Sequence, residues 1–171
     1  MREGHRVSDR ATVLRALHHG RAPGDPLVLP GPWDAASARV FADAGFPALA
    51  TPSAGVSASL GYPDGGTPAA EMFAAIGRIT RAVDVPVSAD VEAGYGLPAR
   101  ELVDRLLAAG AAGCNLEDSD PVGGRLRDPH QQADWLAEVC AAAQGALVVN
   151  ARVDTYLRGD PAVEGTVPPG D

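Results

Sequence analysis

The stretch SADVEAGYG (88–96) continues the mostly apolar run VDVPV (83–87) and therefore begins as a buried strand would. Ser88, Asp90 and Glu92 recur in it at every second position. Because successive side chains of a strand point to opposite faces, these three polar groups share one face. Glycines then interrupt the strand pattern. A hydroxyl and two carboxylates on one face of a core strand predict a chemical site at the end of that strand.

Two later segments repeat this alternation of apolar and polar residues. The polar side chains of the shared face are Asn115 and Glu117 in AGCNLED (112–118), and Asn150, Arg152 and Asp154 in ALVVNARVD (146–154). The chain has only two asparagines, and both fall in these segments, which favours a role for Asn115 in substrate binding.

The whole chain alternates short aliphatic segments with alanine-rich amphipathic ones, a pattern typical of a parallel sheet covered by helices. The predicted strands are 27–31, 48–53, 86–92, 112–118 and 146–154. The predicted helices are 9–19, 34–44, 67–81, 98–110 and 128–145. Asp34 and Asp128 are the expected caps of two of these helices, and glycines follow most of the helix ends.

An open doubly wound sheet and a (β/α)₈ barrel both fit this pattern. A sheet covered on both faces needs strands that are apolar on both sides, whereas three of the predicted strands are polar on one side. We therefore expect an α/β fold of the (β/α)₈ TIM-barrel type, whose lumen opens into a site at the C-terminal ends of the strands.

The predicted barrel is incomplete, because such a barrel needs eight strands and about 250 residues, whereas about five strands are predicted here. Residues 1–158 would form this partial catalytic domain, and residues 159–171 a flexible tail. Three explanations stay open: a fragment, a truncated gene product, and a chain whose sheet edges another chain covers.

Composition excludes several classes of function. The formal net charge of −8 at pH 7 argues against a nucleic-acid partner, and no apolar run reaches the roughly 20 residues of a membrane helix. All 14 basic residues are arginine, so a Schiff-base aldolase, a pyridoxal-phosphate enzyme and a Walker-type loop are excluded within this chain. Cys114 and Cys140 stand in no metal or redox spacing, so we expect two buried thiols and a cytoplasmic location.

Asp90, Glu92 and Glu117 are expected to converge, because neighbouring parallel strands lie about 4.8 Å apart. Carboxylates that share a pocket repel one another unless a cation lies among them, and oxygen ligands without His or Cys suit Mg²⁺ or Mn²⁺. The guanidinium of Arg152 would bind the carboxylate of a small 2-oxo acid. The alternative is an internal salt-bridge network, in which Arg152 pairs with Glu117 and Asp90 accepts a hydrogen bond from Ser88.

The segment GVSASLGYPDGG (55–66) is predicted to be a loop, since glycine and small residues dominate it. Its backbone N–H groups could bind an anion while Asp64 reaches the metal. A plain surface loop with a Pro-Asp-Gly turn is the alternative.

Five segments, taken in order, resemble the isocitrate lyase and phosphoenolpyruvate mutase superfamily, and most of all its small phosphonomutase-type members. They are VLPGPWDAASARVFADAGFPAL (28–49), ATPSAGVSASLGYPDG (50–65), SADVEAGYG (88–96), NLED (115–118) and NARVD (150–154). The resemblance covers about residues 10–158. It implies a (β/α)₈ barrel, usually oligomeric, that binds Mg²⁺ and a 2-oxo acid and works through an enolpyruvate-like intermediate.

The resemblance also implies roles for single residues by their motif positions. Asp90 would be the nearest metal ligand, while Glu92 and Glu117 would hold the waters of the metal. The implied substrate contacts are Ser53, Ala54 and Gly55 on one side and Arg152 on the other. The catalytic candidates are Asp64, Glu117 and Arg152.

One departure from the superfamily pattern concerns the segment after the fourth strand. The lyase branch has a Lys/Arg-Cys-Gly-His stretch there, whose cysteine serves as acid or base, and the mutase branch has a gating loop with lysine and asparagine. This chain reads SDPVGGRLRDP (119–129) instead. Cleavage of isocitrate or methylisocitrate is therefore not expected, and nothing in this segment supports a C–P rearrangement.

Three functional hypotheses follow. The first is a Mg²⁺-dependent lyase or mutase that makes or breaks a C–C or C–P bond of a small 2-oxo acid, expected as a homo-oligomer. The second is a truncated, inactive barrel remnant that acts as a binding or assembly module. The third is a Mg²⁺-dependent pyruvate aldolase of related barrel type.

Overall fold

The computed structural model of the chain describes residues 3–120 and 124–158. The helices are α1 (Glu3–Leu17), α2 (Ala35–Asp43), α3 (Ser53–Leu60), α4 (Ala69–Ala82), α5 (Ala99–Ala108), α6 (Pro129–Ala143) and α7 (Thr155–Arg158), with a 3₁₀ turn at Gly94–Gly96. The strands are β1 (Leu49–Ala50), β2 (Val87–Asp90), β3 (Gly113–Glu117) and β4 (Val148–Arg152). The predicted flexible tail, 159–171, lies outside the described residues.

The four strands form one parallel sheet in the order β1-β2-β3-β4. Each strand lies beside the one that precedes it in the chain, and helices connect them, which is the topology of a (β/α)₈ barrel wall. The described residues thus build part of such a barrel, as the sequence predicts.

The predicted strand at 27–31 is not a strand in the structure. This segment runs beside β1 and makes one ladder-like contact, in which Ala50 N–H donates to Pro30 O at 3.1 Å. Pro26, Pro30 and Pro32 have no N–H to donate, and this explains why the pairing does not extend. The described sheet therefore has four strands instead of the expected five.

Most helix boundaries agree with the caps predicted from the sequence. Asp34 caps α2 by accepting from Ser37 N–H at 2.7 Å, and Asp128 caps α6 by accepting from His130 and Gln131 N–H at 3.0 Å each. The first helix begins at Glu3, six residues before its predicted start.

The core lies between the sheet and the helices. Val87 and Ala89 of β2 and Cys114 and Leu116 of β3 are essentially inaccessible to solvent and pack in one cluster with apolar residues of α4 and α5. This is the apolar face that the alternation predicts, so the polar residues of the same strands face the other way. Cys140, in contrast to its expected burial, is exposed on α6. Among residues 3–120 and 124–158, no helix is long and apolar enough to cross a membrane.

The turn after β2 depends on two glycines in the left-handed region, Gly94 (φ 82°) and Gly96 (φ 67°). A Cβ at Gly94 would lie 2.8 Å from the indole of Trp135, whereas nothing lies within 4 Å of a Cβ at Gly96. Both Gly→Ala variants acquire left-handed strain of roughly 1–2 kcal/mol, and Gly94→Ala acquires overpacking of roughly 1–3 kcal/mol in addition. We expect calorimetry to show the larger fall in Tm for Gly94→Ala. Equal losses would contradict close packing of Trp135 on this turn.

Candidate active site

Three adjacent strands end at the same edge of the sheet. β2 ends at Asp90, β3 at Glu117 and β4 at Arg152. In the β3–β4 register Glu117 lies opposite Arg152, and in the β2–β3 register Asp90 lies opposite Asn115. Parallel pairing therefore brings charged groups from distant parts of the sequence together at the C-terminal edge, where barrel enzymes place their active sites.

The guanidinium of Arg152 is the centre of this group. Its Nη1 lies 3.6 Å from Asp90 Oδ2, and its Nη2 lies 2.7 Å from Glu117 Oε2. Its Nε and Nη2 donate to the two carboxylate oxygens of Asp154 at 2.7 and 3.1 Å. One cation thus contacts three carboxylates, and the ion pair of Arg152 with Glu117 that the salt-bridge alternative required is present.

Asp90 is 7% exposed and is held by donors from two directions. Ser53 donates to Oδ2 from both its backbone N–H (3.2 Å) and its Oγ (2.8 Å), while Glu92 N–H donates to Oδ1 at 3.1 Å. The backbone N–H of Asp90 donates to Thr51 Oγ1 at 3.1 Å. The salt-bridge alternative expected Ser88 to donate to Asp90, but among the described contacts the serine that donates to it is Ser53.

The segment predicted as a loop begins with a helix. Ser53, Ala54 and Gly55 form the first turn of α3, which ends at Leu60 and is followed by Gly61 in the left-handed conformation (φ 85°). The first N–H groups of a helix have no partner within the helix, and Ser53 directs its own at Asp90. Of the segment 55–66, whose N–H groups were expected to bind an anion, Gly55 thus lies in the first turn of a helix beside the carboxylate edge.

Glu92 lies two residues beyond β2, in the left-handed conformation (φ 53°). Its backbone carbonyl accepts from Glu117 N–H at 3.0 Å, and its side chain accepts from the Tyr95 hydroxyl at 3.3 Å. Tyr95 also has a positive φ, of 56°. Non-glycine residues in this conformation store strain that is frequently found at functional sites.

The remaining predicted site residues lie at the margin of the group. Asn115 Oδ1 accepts from Asn150 Nδ2 at 2.9 Å, which joins the two asparagines across β3 and β4. Asp64 is exposed in the turn after α3, and its charge contributes to the pKa shift of Glu92. No described hydrogen bond or ion pair joins Asp64 to the other site residues.

Negative charge accumulates at this edge. Burial raises the pKa of Glu92, and the charges of Asp90 and Asp64 raise it further, against the lowering effect of the Tyr95 hydrogen bond. Burial also raises the pKa of Glu117, with Asp154 and Asp90 adding to it, although Arg152 acts in the opposite direction. One guanidinium does not neutralise this set, so the electrostatics of this edge favour further positive charge.

We expect Glu92→Gln to stabilise the protein in a pH-dependent way. Because the pKa of Glu92 is raised above its ordinary value of 4.5, the native state loses stability as pH rises from 4.5 through the raised pKa. The amide removes this loss, so Tm should rise by about 1–3 °C near pH 7.5 and should not rise near pH 4. Thermal melts at both pH values, with exposed Glu138→Gln as the control, check this. A gain of equal size at both pH values would contradict the charge repulsion.

The donor set at this edge fits the predicted metal through its chemistry and not through a ready-made cluster of ligands. Among the described residues, no group of three or more His, Cys, Asp or Glu side chains is arranged to hold a metal ion directly. The chemistry of the set nevertheless fits a hard cation: Asp90 is buried, all donors are oxygens, and Glu92 and Glu117 disfavour one another's charge. Mg²⁺ commonly uses only one or two carboxylates and retains several waters, so Asp90 with outer partners Glu92 and Glu117 suits it.

Sequence reasoning missed four residues that shape this site. Thr51 accepts from the backbone N–H of Asp90, Tyr95 donates to Glu92, and Asp154, to which Ser119 donates, accepts from Arg152. The strand alternation already placed Asp154 on the polar face, which was the available signal for it. Nothing local in the sequence signals the other contacts, since all depend on how strands and loops pack.

Comparison with known proteins identifies the family of the chain. The sequence profile of the phosphoenolpyruvate phosphomutase family matches residues 14–168. The chain belongs to this family. Its membership confirms the resemblance drawn from the five sequence segments.

Three relatives of this phosphoenolpyruvate phosphomutase family chain are informative. An oxaloacetate decarboxylase of Rhodopseudomonas palustris (strain TIE-1) is 38% identical over 115 residues, covering 65% of this chain and 39% of its own length. The structure of a candidate phosphonomutase from Burkholderia cenocepacia J2315 is 41% identical, with a TM-score of 0.81, covering 92% of this chain and 67% of its own. A phosphonopyruvate hydrolase in complex with oxalate and Mg²⁺ is 25% identical, with a TM-score of 0.75, covering 88% and 54%.

The chain spans about half the length, or less, of the curated relatives it matches. Its membership of the phosphoenolpyruvate phosphomutase family therefore applies to the part of a barrel that contains β1 to β4. An activity like that of the longer relatives can only be proposed for this chain.

Proposed function

We propose that the chain carries the metal- and substrate-binding part of a Mg²⁺-dependent site that makes or breaks a C–C or C–P bond of a small 2-oxo acid, through an enolpyruvate-like intermediate. The observation that carries this proposal is the meeting of Arg152 with Asp90 and Glu117 at the ends of three adjacent strands. Similar proteins named for oxaloacetate and for phosphonopyruvate, which are both 2-oxo acids, support the substrate class.

Asp90, Glu92 and Glu117 would hold Mg²⁺, or Mn²⁺ in its place, with Asp90 in direct contact. When bound, the metal supplies positive charge that stabilises an enolate oxygen. The protein contributes the geometry: Asp90 is fixed by Ser53, and Glu92 is fixed by its strained turn and by Tyr95. Groups held in this way need no rearrangement when a cation binds.

The substrate carboxylate would be bound from two sides. The N–H groups of Ala54 and Gly55 belong to the first turn of α3, where partial positive charge favours an anion. Arg152 offers a planar fork on the other side, and Asn115 adds an amide at the strand edge. A 2-oxo acid bound in this way would direct its carbonyl oxygen towards Asp90.

Proton transfer would fall to carboxyl groups near the reacting carbons, for which Glu117 and Asp64 are the candidates. The raised pKa of Glu117 brings it closer to the neutral range in which a general acid or base works best. Asp64 lies in an exposed turn and would have to approach the substrate from there.

Calorimetric titration tests the proposal. Mg²⁺ should bind the wild-type chain, and oxalate, which mimics an enolpyruvate, should tighten that binding. Mg²⁺ binding that is absent, or that is indifferent to oxalate, would overturn the proposed function. Assays of pyruvate release from oxaloacetate, phosphonopyruvate and 4-hydroxy-2-oxo acids would then identify the bond broken, and activity on the last group alone would favour the pyruvate aldolase.

A binding or assembly module without turnover is the second candidate. One observation favours it: β1 and β4 each pair with one strand among the described residues. It predicts self-association through these edges and no turnover of any 2-oxo acid. Light scattering combined with the same assays distinguishes it. Homo-oligomer formation and a cytoplasmic location stay predictions.

A further inference from the structure

We propose that Asp154 is a positioning residue, whose buried carboxylate fixes the guanidinium of Arg152 in the orientation that binds a substrate carboxylate. This inference deepens the proposed function and rests on it, because the anion in question is the 2-oxo acid of that reaction.

The contact between Asp154 and Arg152 is bidentate. Arg152 Nε donates to Oδ1 at 2.7 Å and Nη2 donates to Oδ2 at 3.1 Å, so two parallel hydrogen bonds hold one edge of the planar group. Asp154 is 2% exposed, whereas the Arg152 side chain is 35% exposed. A buried carboxylate therefore holds a guanidinium that is partly exposed at the C-terminal edge of the sheet.

Asp154 is itself anchored by the end of β3. Ser119 Oγ donates to Asp154 Oδ2 at 2.6 Å, and the backbone N–H of Asp154 donates to Asp118 Oδ1 at 2.8 Å. Asp118 and Ser119 directly follow β3. The orientation of Arg152 is thus set through Asp154 by the segment that directly follows β3.

The contacts of Arg152 are divided between its two edges. Asp154 holds the edge formed by Nε and Nη2, while Asp90 and Glu117 lie against Nη1 and Nη2. A substrate carboxylate would bind at the second edge, where Nη1 faces the carboxylates that belong to the proposed metal site. Asp154 does not occupy that second edge, so its hydrogen bonds with Arg152 persist while other groups exchange there.

A fixed guanidinium lowers the entropy lost when an anion binds. A free arginine side chain samples many rotamers, and an arginine already held in place loses less rotamer entropy on binding. Residues that orient a binding side chain without touching the ligand themselves typically contribute about 10–100-fold to affinity or activity.

The sign of the effect separates positioning from simple electrostatics. Asp154 is an anion near a proposed anion site, so its charge alone opposes oxalate and favours Mg²⁺. Neutralising it would therefore strengthen oxalate binding if charge were its whole role. Positioning predicts the reverse.

Asp154→Asn is the test variant, because it removes the charge with almost no change in volume. We expect oxalate affinity at saturating Mg²⁺ to fall about 10–100-fold, with Mg²⁺ affinity within about threefold of wild type. Ser119→Ala, which removes one support of Asp154, should weaken oxalate by a smaller factor. Asp84→Asn makes the same charge change at a fully exposed side chain and should leave both affinities unchanged. Unchanged or tighter oxalate binding by Asp154→Asn would overturn the inference.

A second readout needs no ligand. The Nε–H resonance of Arg152, assigned by its loss in Arg152→Lys, should exchange slowly with water in the wild type and much faster in Asp154→Asn. If the wild type failed to bind oxalate, the proposed function would fall while this signal still reported on positioning. Equal exchange in both proteins would overturn the role of Asp154 whatever oxalate does.

Discussion

Asp90→Ala should abolish the joint stabilisation of the protein by Mg²⁺ and oxalate. A ligand at 100 times its Kd stabilises a protein by about 2.7 kcal/mol, which corresponds to a rise in Tm of about 5–10 °C at this size. Asp90 is a buried carboxylate that accepts from Ser53 and lies 3.6 Å from Arg152, and its removal eliminates the proposed direct metal ligand. We expect Mg²⁺ affinity to fall by more than about 100-fold, beyond the typical effect of losing an outer partner. Thermal melts with and without both ligands measure this.

Two further variants serve as controls for that experiment. Asp90→Asn keeps an oxygen that can accept from Ser53, so it separates loss of the carboxylate charge from loss of the local fold. Asp84→Ala removes a fully exposed carboxylate and should melt with the wild-type ligand response. A ligand-induced shift that survives in Asp90→Ala would remove Asp90 from the metal site.

Arg152→Lys is expected to weaken oxalate binding by about 10–150-fold at saturating Mg²⁺. Lysine retains the positive charge that Asp90, Glu117 and Asp154 surround, but it has no planar fork for a carboxylate. Each charge-assisted hydrogen bond that is lost contributes roughly 1.5–3 kcal/mol, which sets the size of the effect. Mg²⁺ affinity should change far less. Calorimetric titration of oxalate measures the difference.

The matched control for Arg152→Lys is Arg100→Lys. Arg100 is an exposed arginine of α5 that pairs with Asp104 at 3.7 Å, so its replacement preserves charge without touching the site. Oxalate affinities that are equal in the wild type, Arg152→Lys and Arg100→Lys would mean that Arg152 is a structural ion-pair partner and does not contact the substrate.

The polar face of the strands could be predicted because it depends on a local rule. Asp90, Asn115, Glu117 and Arg152 all follow strict alternation along their strands, and parallel pairing then places them at one edge. Caps at Asp34 and Asp128 are equally local, since each aspartate bonds to N–H groups two or three residues away. These features need no knowledge of the rest of the fold.

Two wrong predictions share a different cause. The 27–31 segment has the apolar composition of a strand, but its prolines limit pairing with β1 to one hydrogen bond. The 55–66 segment has the composition of a loop, yet residues 55–60 belong to α3, whose first residue, Ser53, bonds to Asp90, 37 residues away. Here tertiary contacts outweigh local propensity.

The finer parts of the site lie beyond sequence patterns altogether. The left-handed backbone of Glu92 and Tyr95 opposes the intrinsic preference of both residues. The contact of Ser119 with Asp154 spans 35 residues and joins the ends of two strands. Such contacts exist only once β3 and β4 are paired, and they determine how Arg152 is presented.

The most direct measurement is a crystal structure of the chain grown with Mn²⁺ and oxalate, with the metal located by its anomalous scattering. We expect one strong peak within about 2.5 Å of an Asp90 carboxylate oxygen, and oxalate bound between that peak and the guanidinium of Arg152. A metal bound elsewhere, or oxalate bound with no contact to Arg152, would contradict a metal and substrate site at the ends of β2, β3 and β4.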